Sequence, residues 1–341
     1  MKRFLIVGFA VAATALGARG AAAQGQWYKF SKDFVASHFA KDSAIGELEA
    51  NAVAPAKSVH RVSCGGNDGE LHVGIEGKDI VWTKADQEPL SAPAGQESSD
   101  FGVVAEPVNL EASTQAAAQA LAGQAATFEG YYRLWNEGHD RGNAAPSNPH
   151  HVLELHPVWA FHGDAEDFND PASIRPMQSS GGKAYSGYGA SKFRPLLAAL
   201  SQEQWLHVYE DDRFVYVELQ KAENFYQLPV TVNDVHQVTG GVEAVVDVFS
   251  DEQHQNLVFS GLRVVANDGS RIAARLQAGE QIQFLLGLFS VNLRKAMELA
   301  AGHSGPDNAV FAPSALELFA YGVPLGKAVS SSKCVAETPA E

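Results

Sequence analysis

The sequence is poor in positive charge. It contains 25 Lys and Arg residues against 40 Asp and Glu residues, and its formal net charge at pH 7 is −15. No block of Lys or Arg interrupts this excess of acid. Because a negative surface repels phosphate backbones and anionic lipid, the composition argues against nucleic acid as a partner and against docking on an anionic membrane. We expect the negative charge to serve solubility.

Long apolar runs are also scarce. The chain opens with the basic residues Lys2 and Arg3, continues with an apolar run from Phe4 to Ala18, and then has the small residues Ala21 to Ala23. This is the pattern of an export signal with an Ala-x-Ala cleavage site, and its apolar run is shorter than the roughly 20 residues of a membrane-spanning helix. The sequence therefore predicts a signal peptide over 1–23, a periplasmic or extracellular mature protein and no stable membrane insertion.

Cysteine is nearly absent, with Cys64 and Cys334 the only two. Neither has the Cys-x-x-Cys spacing of a redox motif or a zinc knuckle, which excludes both. Disulfides persist outside the cytoplasm, so one hypothesis is a Cys64–Cys334 bridge that ties the C-terminal tail to the first domain. The other is two separate thiols, because nothing in the sequence places their Cα atoms within bonding distance.

Alternation of polar and apolar residues dominates the chain and predicts short strands. A stretch rich in Gly, Ser, Asp and Pro at 163–190 predicts a linker between two groups of strands. The fold class is therefore mainly β with a few helices (α+β), in two small barrel- or sandwich-like units. The predicted divisions are a signal peptide at 1–23, an N-terminal β-rich domain at 24–162, the linker at 163–190, a C-terminal β-rich domain at 191–302 and a C-terminal tail at 303–341. Helices are predicted at 31–42, 109–122, 192–200 and 290–301, the first capped by Ser31 and the last by Ser290.

One segment, 131–156, concentrates ionisable side chains. Alternation places His150, Glu154 and His156 on one face of a predicted strand, and His139 follows the preceding strand in a loop. One polar face can thus gather these four residues, with Glu137 close. Imidazole and carboxylate at this density suit zinc or a similar divalent metal, so these four residues are the candidate ligands. The spacing of these residues matches no established metal-binding motif. The alternative is a half-exposed strand that carries His and Glu on its face simply because that face is in contact with solvent. Directly after His156, Pro157 cannot donate a backbone hydrogen bond to a sheet and so predicts a strand edge or a bulge.

Two short motifs carry a resemblance. Residues 67–72 read Asn-Asp-Gly-Glu-Leu-His, and residues 153–158 read Leu-Glu-Leu-His-Pro-Val. In this spacing they resemble uncharacterised bacterial exported proteins that pair an Asp-rich turn and an "LH" strand with an "ELHPV" strand. The resemblance covers about residues 57–162 and implies a small β-barrel of the oligonucleotide/oligosaccharide-binding (OB) kind. It implies no activity.

Three functional hypotheses follow from these patterns. The leading one is an exported, non-catalytic binding or scaffolding module, without a cofactor, for an unknown ligand or envelope protein. The second is a metal-dependent hydrolase, with zinc as its cofactor, centred on the His and Glu residues at 139–156. The third is an assembly factor held by contacts with other envelope proteins. Convergent imidazoles would favour the enzyme, and a large exposed apolar patch would favour the assembly factor.

Overall fold

The computed structural model describes residues 26–40, 43–55, 70–76, 102–110, 112–139, 145–164, 167–176, 183–184, 190–323 and 335–336. The predicted signal peptide, Cys64 and Cys334 lie outside the described residues, so export and the disulfide stay predictions. Among the residues that are described, no helix combines the length and hydropathy needed to cross a membrane.

Strands predominate, as the sequence predicted. In chain order the described strands are β1 (Gln26–Ser31), β2 (Gly46–Pro55), β3 (Val73–Glu76), β4 (Val103–Pro107), β5 (Gln124–Leu134), β6 (Leu153–Gly163), β7 (Asp167–Asn169), β8 (Lys183–Ala184), β9 (His207–Glu210), β10 (Phe214–Leu219), β11 (Phe225–Val238), β12 (Gly241–Phe249), β13 (Leu257–Asn267), β14 (Gln281–Val291), β15 (Val310–Phe311), β16 (Leu316–Gly322) and β17 (Val335–Ala336). The α-helices are α1 (Lys32–His38), α2 (Ala112–Ala120), α3 (Ala190–Ser201) and α4 (Leu293–Ala300). Each of these helices overlaps a predicted one. The predominance of strands, with these few helices, confirms the mainly β, α+β fold class.

The first half of the chain forms a curled sheet, here called the N-terminal sheet. Its strands follow the order β4-β3-β2-β5-β6-β7, and β4 also pairs with β6 in parallel. If the strands are counted from β2, the third strand (β4) therefore lies beside the fifth (β6). The fourth strand (β5) lies between β6 and β2. These pairings curl the sheet into a half-barrel, which confirms the barrel-like first unit. Its assignment to the OB kind stays a prediction.

The second half forms a closed barrel, here called the C-terminal barrel. Its strands close in the order β11-β12-β13-β16-β14, again with a parallel pair between the third and the fifth strand. Successive side chains of β12 alternate between the barrel interior and its outer face. Those inside are Val242, Ala244, Val246 and Val248, and the residues between them are half-buried. Residues 316–322, which the predicted domain division assigns to the tail, form strand β16 of this barrel. The domain boundaries themselves stay a prediction.

The helix caps differ from prediction at one of two positions. Ser31 caps α1 as expected, because its side chain accepts a hydrogen bond from the Phe34 N–H. Ser290 does not cap α4, because it lies within β14; Asn292 is the cap and accepts from the Lys295 N–H at 2.8 Å. The Ser290 hydroxyl instead accepts the Leu134 N–H at 3.1 Å, across the contact between the N-terminal sheet and the C-terminal barrel.

That contact is largely apolar and aromatic. The Tyr131 and Phe319 rings lie 4.7 Å apart, and the Trp135 and Phe289 rings stack at 5.7 Å. The end of β5 is consequently covered on both sides, so that every residue from Tyr131 to Leu134 is buried. An arginine in this stretch has no route to solvent, and its charge must be balanced inside the protein.

Candidate metal centre

The buried arginine is Arg133, and it organises the ionisable residues around it. It lies opposite Glu154 in the β5–β6 register, and its Nη1 donates to Glu154 Oε1 at 2.5 Å. Nη1 also donates to Glu137, and Nε donates to the Phe289 carbonyl oxygen of the C-terminal barrel at 3.0 Å. The two strands thus share a polar face, as predicted, but this face is buried in the protein instead of exposed to solvent.

Burial and ion pairing oppose each other at these groups. Burial would raise the pKa of Glu154, but the Arg133 guanidinium and hydrogen bonds from His151 and His156 hold that pKa well below its ordinary value. Burial would likewise lower the pKa of Arg133, and the Glu137 and Glu154 carboxylates raise it instead. Glu154 is therefore a carboxylate near neutral pH, the form that binds metal ions.

The first candidate ligand set, here called the His151 group, comprises His139, His151 and Glu154. His139 Nδ1 lies 3.0 Å from His151 Nε2, which in turn lies 3.2 Å from Glu154 Oε2. One ligand atom from each residue lies within 4.8 Å of the others. Two imidazoles and one carboxylate therefore converge on a single point, a donor set typical of zinc and of similar divalent metals.

The orientation of His151 is fixed by its other ring nitrogen. Nδ1 lies 2.7 Å from the carbonyl oxygen of Pro149. In the neutral imidazole this contact assigns the hydrogen to Nδ1 and leaves the Nε2 lone pair facing His139 and Glu154. Metal-binding histidines are commonly oriented in this way, by donation of the second ring N–H to a backbone carbonyl.

The two imidazoles of this group differ electrostatically. Burial lowers the pKa of His139 below its ordinary value, and the neighbouring His151 lowers it further. Burial would also lower the pKa of His151, but the hydrogen bond to Glu154 and the charge of Glu154 raise it. A proton on His151 and a metal ion would therefore compete for the same Nε2 lone pair.

The second candidate set, here called the His156 group, comprises Glu70, Glu106 and His156, all buried. His156 Nδ1 lies 3.0 Å from Glu106 Oε2, and Nε2 lies 3.2 Å from Glu70 Oε1. Burial would raise the pKa of Glu106, but the charges of His156 and His72 lower it to about 2. Burial would lower the pKa of His156, but Tyr321, Glu106 and Glu70 raise it well above its ordinary value.

The sequence-based candidates divide between these groups. His139 and Glu154 meet in the His151 group, whereas His156 lies in the adjacent group and contacts Glu154 through Nδ1 at 3.2 Å. Among the described residues neither group includes His150, and its neighbour His151 stands where His150 was expected. Strand β6 begins only at Leu153, so the alternation that placed His150 on the face of Glu154 does not extend that far. That these residues bind a metal stays a prediction.

Sequence reasoning missed Glu70 and Glu106. Glu70 is separated from His156 by 86 positions, and Glu106 reaches it only because β4 pairs in parallel with β6. One signal was present for Glu106, which is the single charged residue in the apolar run Val103 to Val108. A single carboxylate in an otherwise apolar, buried strand needs a positively charged or hydrogen-bonding partner inside the protein. Such a residue is therefore a candidate for a buried ion-pair or metal-binding site.

Comparison with known proteins adds no assignment. The sequence matches no protein-family model, and no curated protein sequence matches it.

Proposed function

We propose that this protein is a metal-binding module that holds a divalent ion of the zinc type through His139, His151 and Glu154. The observation that carries the proposal is the orientation of His151, whose Nδ1 contacts the Pro149 carbonyl while Nε2 faces His139 and Glu154. In the neutral imidazole the Nε2 lone pair of His151 is thus directed at the point where His139 Nδ1 and Glu154 Oε2 also lie, as in a metal-binding histidine.

The backbone around the group supports the same proposal. The His151 N–H donates to the His139 carbonyl oxygen at 3.2 Å, and the Trp135 N–H donates to the Val152 carbonyl oxygen at 2.9 Å. These bonds join the segment after β5 to the segment before β6, so the backbone that carries the two imidazoles is held together by the protein itself. Ligands held in place in advance lose less conformational entropy when a metal binds.

The test is the metal content of protein purified without a histidine tag. We expect about one tightly held ion per chain at this group. His151→Ala should remove it, while His150→Ala, the matched control one residue away, should retain it. No metal in the wild-type protein after exposure to zinc would refute the proposal, and so would equal loss in the two variants.

Export and the disulfide belong to the same proposal. Residues 1–23 have the charge and hydropathy pattern of a cleaved signal, which supports a periplasmic or extracellular location. A Cys64–Cys334 bridge would be stable in either compartment. Peptide mapping without reductant should find the two cysteine peptides linked, and two free thiols would contradict the bridge.

A metal-dependent hydrolase is the second candidate function. Three protein ligands leave an open position on a tetrahedral ion, which is where catalytic zinc sites bind water. Hydrolysis of chromogenic carboxylate and phosphate esters should then require the ion and disappear in His151→Ala. Absence of hydrolysis by the metal-loaded protein would leave the non-catalytic binding module as the function.

A further inference from the structure

Glu154 connects the two candidate groups through opposite oxygens of one carboxylate. Its Oε2 lies 3.2 Å from His151 Nε2, and its Oε1 lies 3.2 Å from His156 Nδ1. We propose that the two groups form a single two-metal centre in which the Glu154 carboxylate bridges the ions. This proposal rests on the metal binding proposed above and adds a second ion at His156.

The ligands of the second ion follow from the two faces of the His156 ring. Nδ1 lies close to two carboxylates, with Glu106 Oε2 at 3.0 Å and Glu154 Oε1 at 3.2 Å. Nε2 contacts Glu70 Oε1 at 3.2 Å. An ion at Nδ1 displaces the proton from that nitrogen and leaves the hydrogen on Nε2. Glu70 then orients the ring, and the Nδ1 lone pair joins Glu106 and Glu154 as ligands. A carboxylate behind a metal-binding imidazole is a frequent arrangement.

Oε1 of Glu154 also accepts a hydrogen bond from Arg133 at 2.5 Å. A carboxylate oxygen has two lone pairs, so the contact with Arg133 leaves one for an ion. Arg133 in turn is anchored to the C-terminal barrel through the Phe289 carbonyl oxygen. The guanidinium therefore holds the bridging carboxylate in one orientation, with an oxygen toward each group.

The charge of the site favours cations. Glu70, Glu106, Glu137 and Glu154 contribute four negative charges and Arg133 one positive charge. Metal binding releases any proton from His151 Nε2 and His156 Nδ1, and with neutral imidazoles these five side chains sum to −3. All of these side chains are buried or nearly so. Uncompensated charge is costly in such surroundings, and divalent ions between the carboxylates would remove it.

An independent observation comes from Tyr321 of the C-terminal barrel. Its ring lies 6.4 Å from the His156 ring, and its hydroxyl is buried without a hydrogen-bond partner among the described residues. Buried hydroxyl groups nearly always have a partner, commonly an ordered water. A water or hydroxide on the second ion would accept this hydrogen bond, so Tyr321 indicates a ligand that the protein does not itself supply.

Zinc stoichiometry tests the two-metal centre. Chelator-treated full-length protein would be reloaded with zinc, dialysed and measured by mass spectrometry of the metal. We expect about two ions per chain in the wild type and about one in His156→Ala. His162→Ala serves as control, because this half-buried histidine also lies on β6 and contacts Glu129 and Asp167 instead of the two groups.

A second measurement requires no variant. Protein loaded with manganese would be studied by electron paramagnetic resonance, in which two ions that share a carboxylate give a coupled spectrum and isolated ions give separate six-line spectra. One ion per chain, or two ions without coupling, would overturn the two-metal centre and leave the proposed function intact. No bound ion at all would overturn both.

Discussion

Arg133 and Glu154 lie directly opposite each other on neighbouring strands, joined by a 2.5 Å hydrogen bond inside the protein. The same guanidinium donates from Nε to the Phe289 carbonyl oxygen of the C-terminal barrel. One buried side chain therefore neutralises a candidate ligand and ties the N-terminal sheet to the barrel. Arg133 therefore contributes both to the stability of the contact between the two units and to the geometry of the candidate metal centre.

Replacement of Arg133 should consequently destabilise the fold. In Arg133→Met the Glu154 and Glu137 carboxylates lose their buried partner, and we expect a loss of about 3–5 kcal/mol in the free energy of unfolding. Urea denaturation measures this loss. Arg133→Lys keeps the positive charge but lacks the planar guanidinium with its several N–H donors. Its loss of unfolding free energy should therefore be smaller than that of Arg133→Met. Unchanged stability in Arg133→Met would contradict the role assigned to this residue.

The sequence was sufficient to predict the strands that carry the site. Alternation with a period of two placed Glu154 and His156 on one face of the second strand, because that period depends only on local backbone geometry. Pro157 was predicted to mark an edge or a bulge, and the β5–β6 register indeed shifts on both sides of Gly130 in that region. Local chemistry was enough in both cases.

Other parts of the site depend on contacts that local patterns do not contain. Whether His150 or His151 faces Glu154 depends on where β6 begins, and strand ends are the least predictable part of an element. Glu70 and Glu106 meet His156 only through pairing across the N-terminal sheet. Tyr321 comes from a barrel whose packing against β6 has no signal in either segment alone.

The second stability prediction concerns the bulge. A Cβ atom on Gly130 would lie 2.5 Å from the Pro157 carbonyl oxygen, a backbone atom that cannot move aside cheaply. Gly130→Ala should therefore cost about 1–3 kcal/mol through overpacking. Thermal unfolding measures the effect. Ala125→Gly, at an exposed position of the same strand, is the control and should cost less than about 1 kcal/mol. Equal effects at the two positions would refute the steric explanation.

A third prediction concerns the mature N-terminus. Because Ala21 and Ala23 fit the small-residue requirement of signal peptidase, we expect the exported protein to begin at Gln24. Mass spectrometry of the periplasmic or secreted fraction identifies that terminus directly. An Ala23→Arg variant should block cleavage and leave the precursor in the membrane fraction. Intact Met1 on protein from the cytoplasm would contradict the predicted compartment.

The last prediction is the response of stability to acid. The groups that face Glu106 are His156 on β6, the nearby His72 and the carboxylate of Glu154. The Glu70 carboxylate lies within 4.8 Å in the same group. Burial and the charge of Glu154 would raise the pKa of Glu106, but the charges of His156 and His72 lower it to about 2, below the ordinary 4.5 that it regains on unfolding. A carboxylate with a lowered pKa in the folded state stabilises the protein above the unfolded pKa, and this stabilisation is lost as the pH falls through the folded value.

The contribution of Glu106 should thus be complete above about pH 5 and disappear toward about pH 2, with a size of about 3 kcal/mol. Urea unfolding of wild type and Glu106→Gln across this range measures it, since the variant cannot ionise at this position. The stability difference between the two proteins should shrink steadily as the pH falls. In Glu298→Gln, a half-exposed control on α4, the difference from wild type should be small and nearly constant, because a surface ion pair contributes at most about 1 kcal/mol. A Glu106→Gln difference that stays constant from neutral to acid pH would show that Glu106 is not held as a carboxylate by His156 and His72.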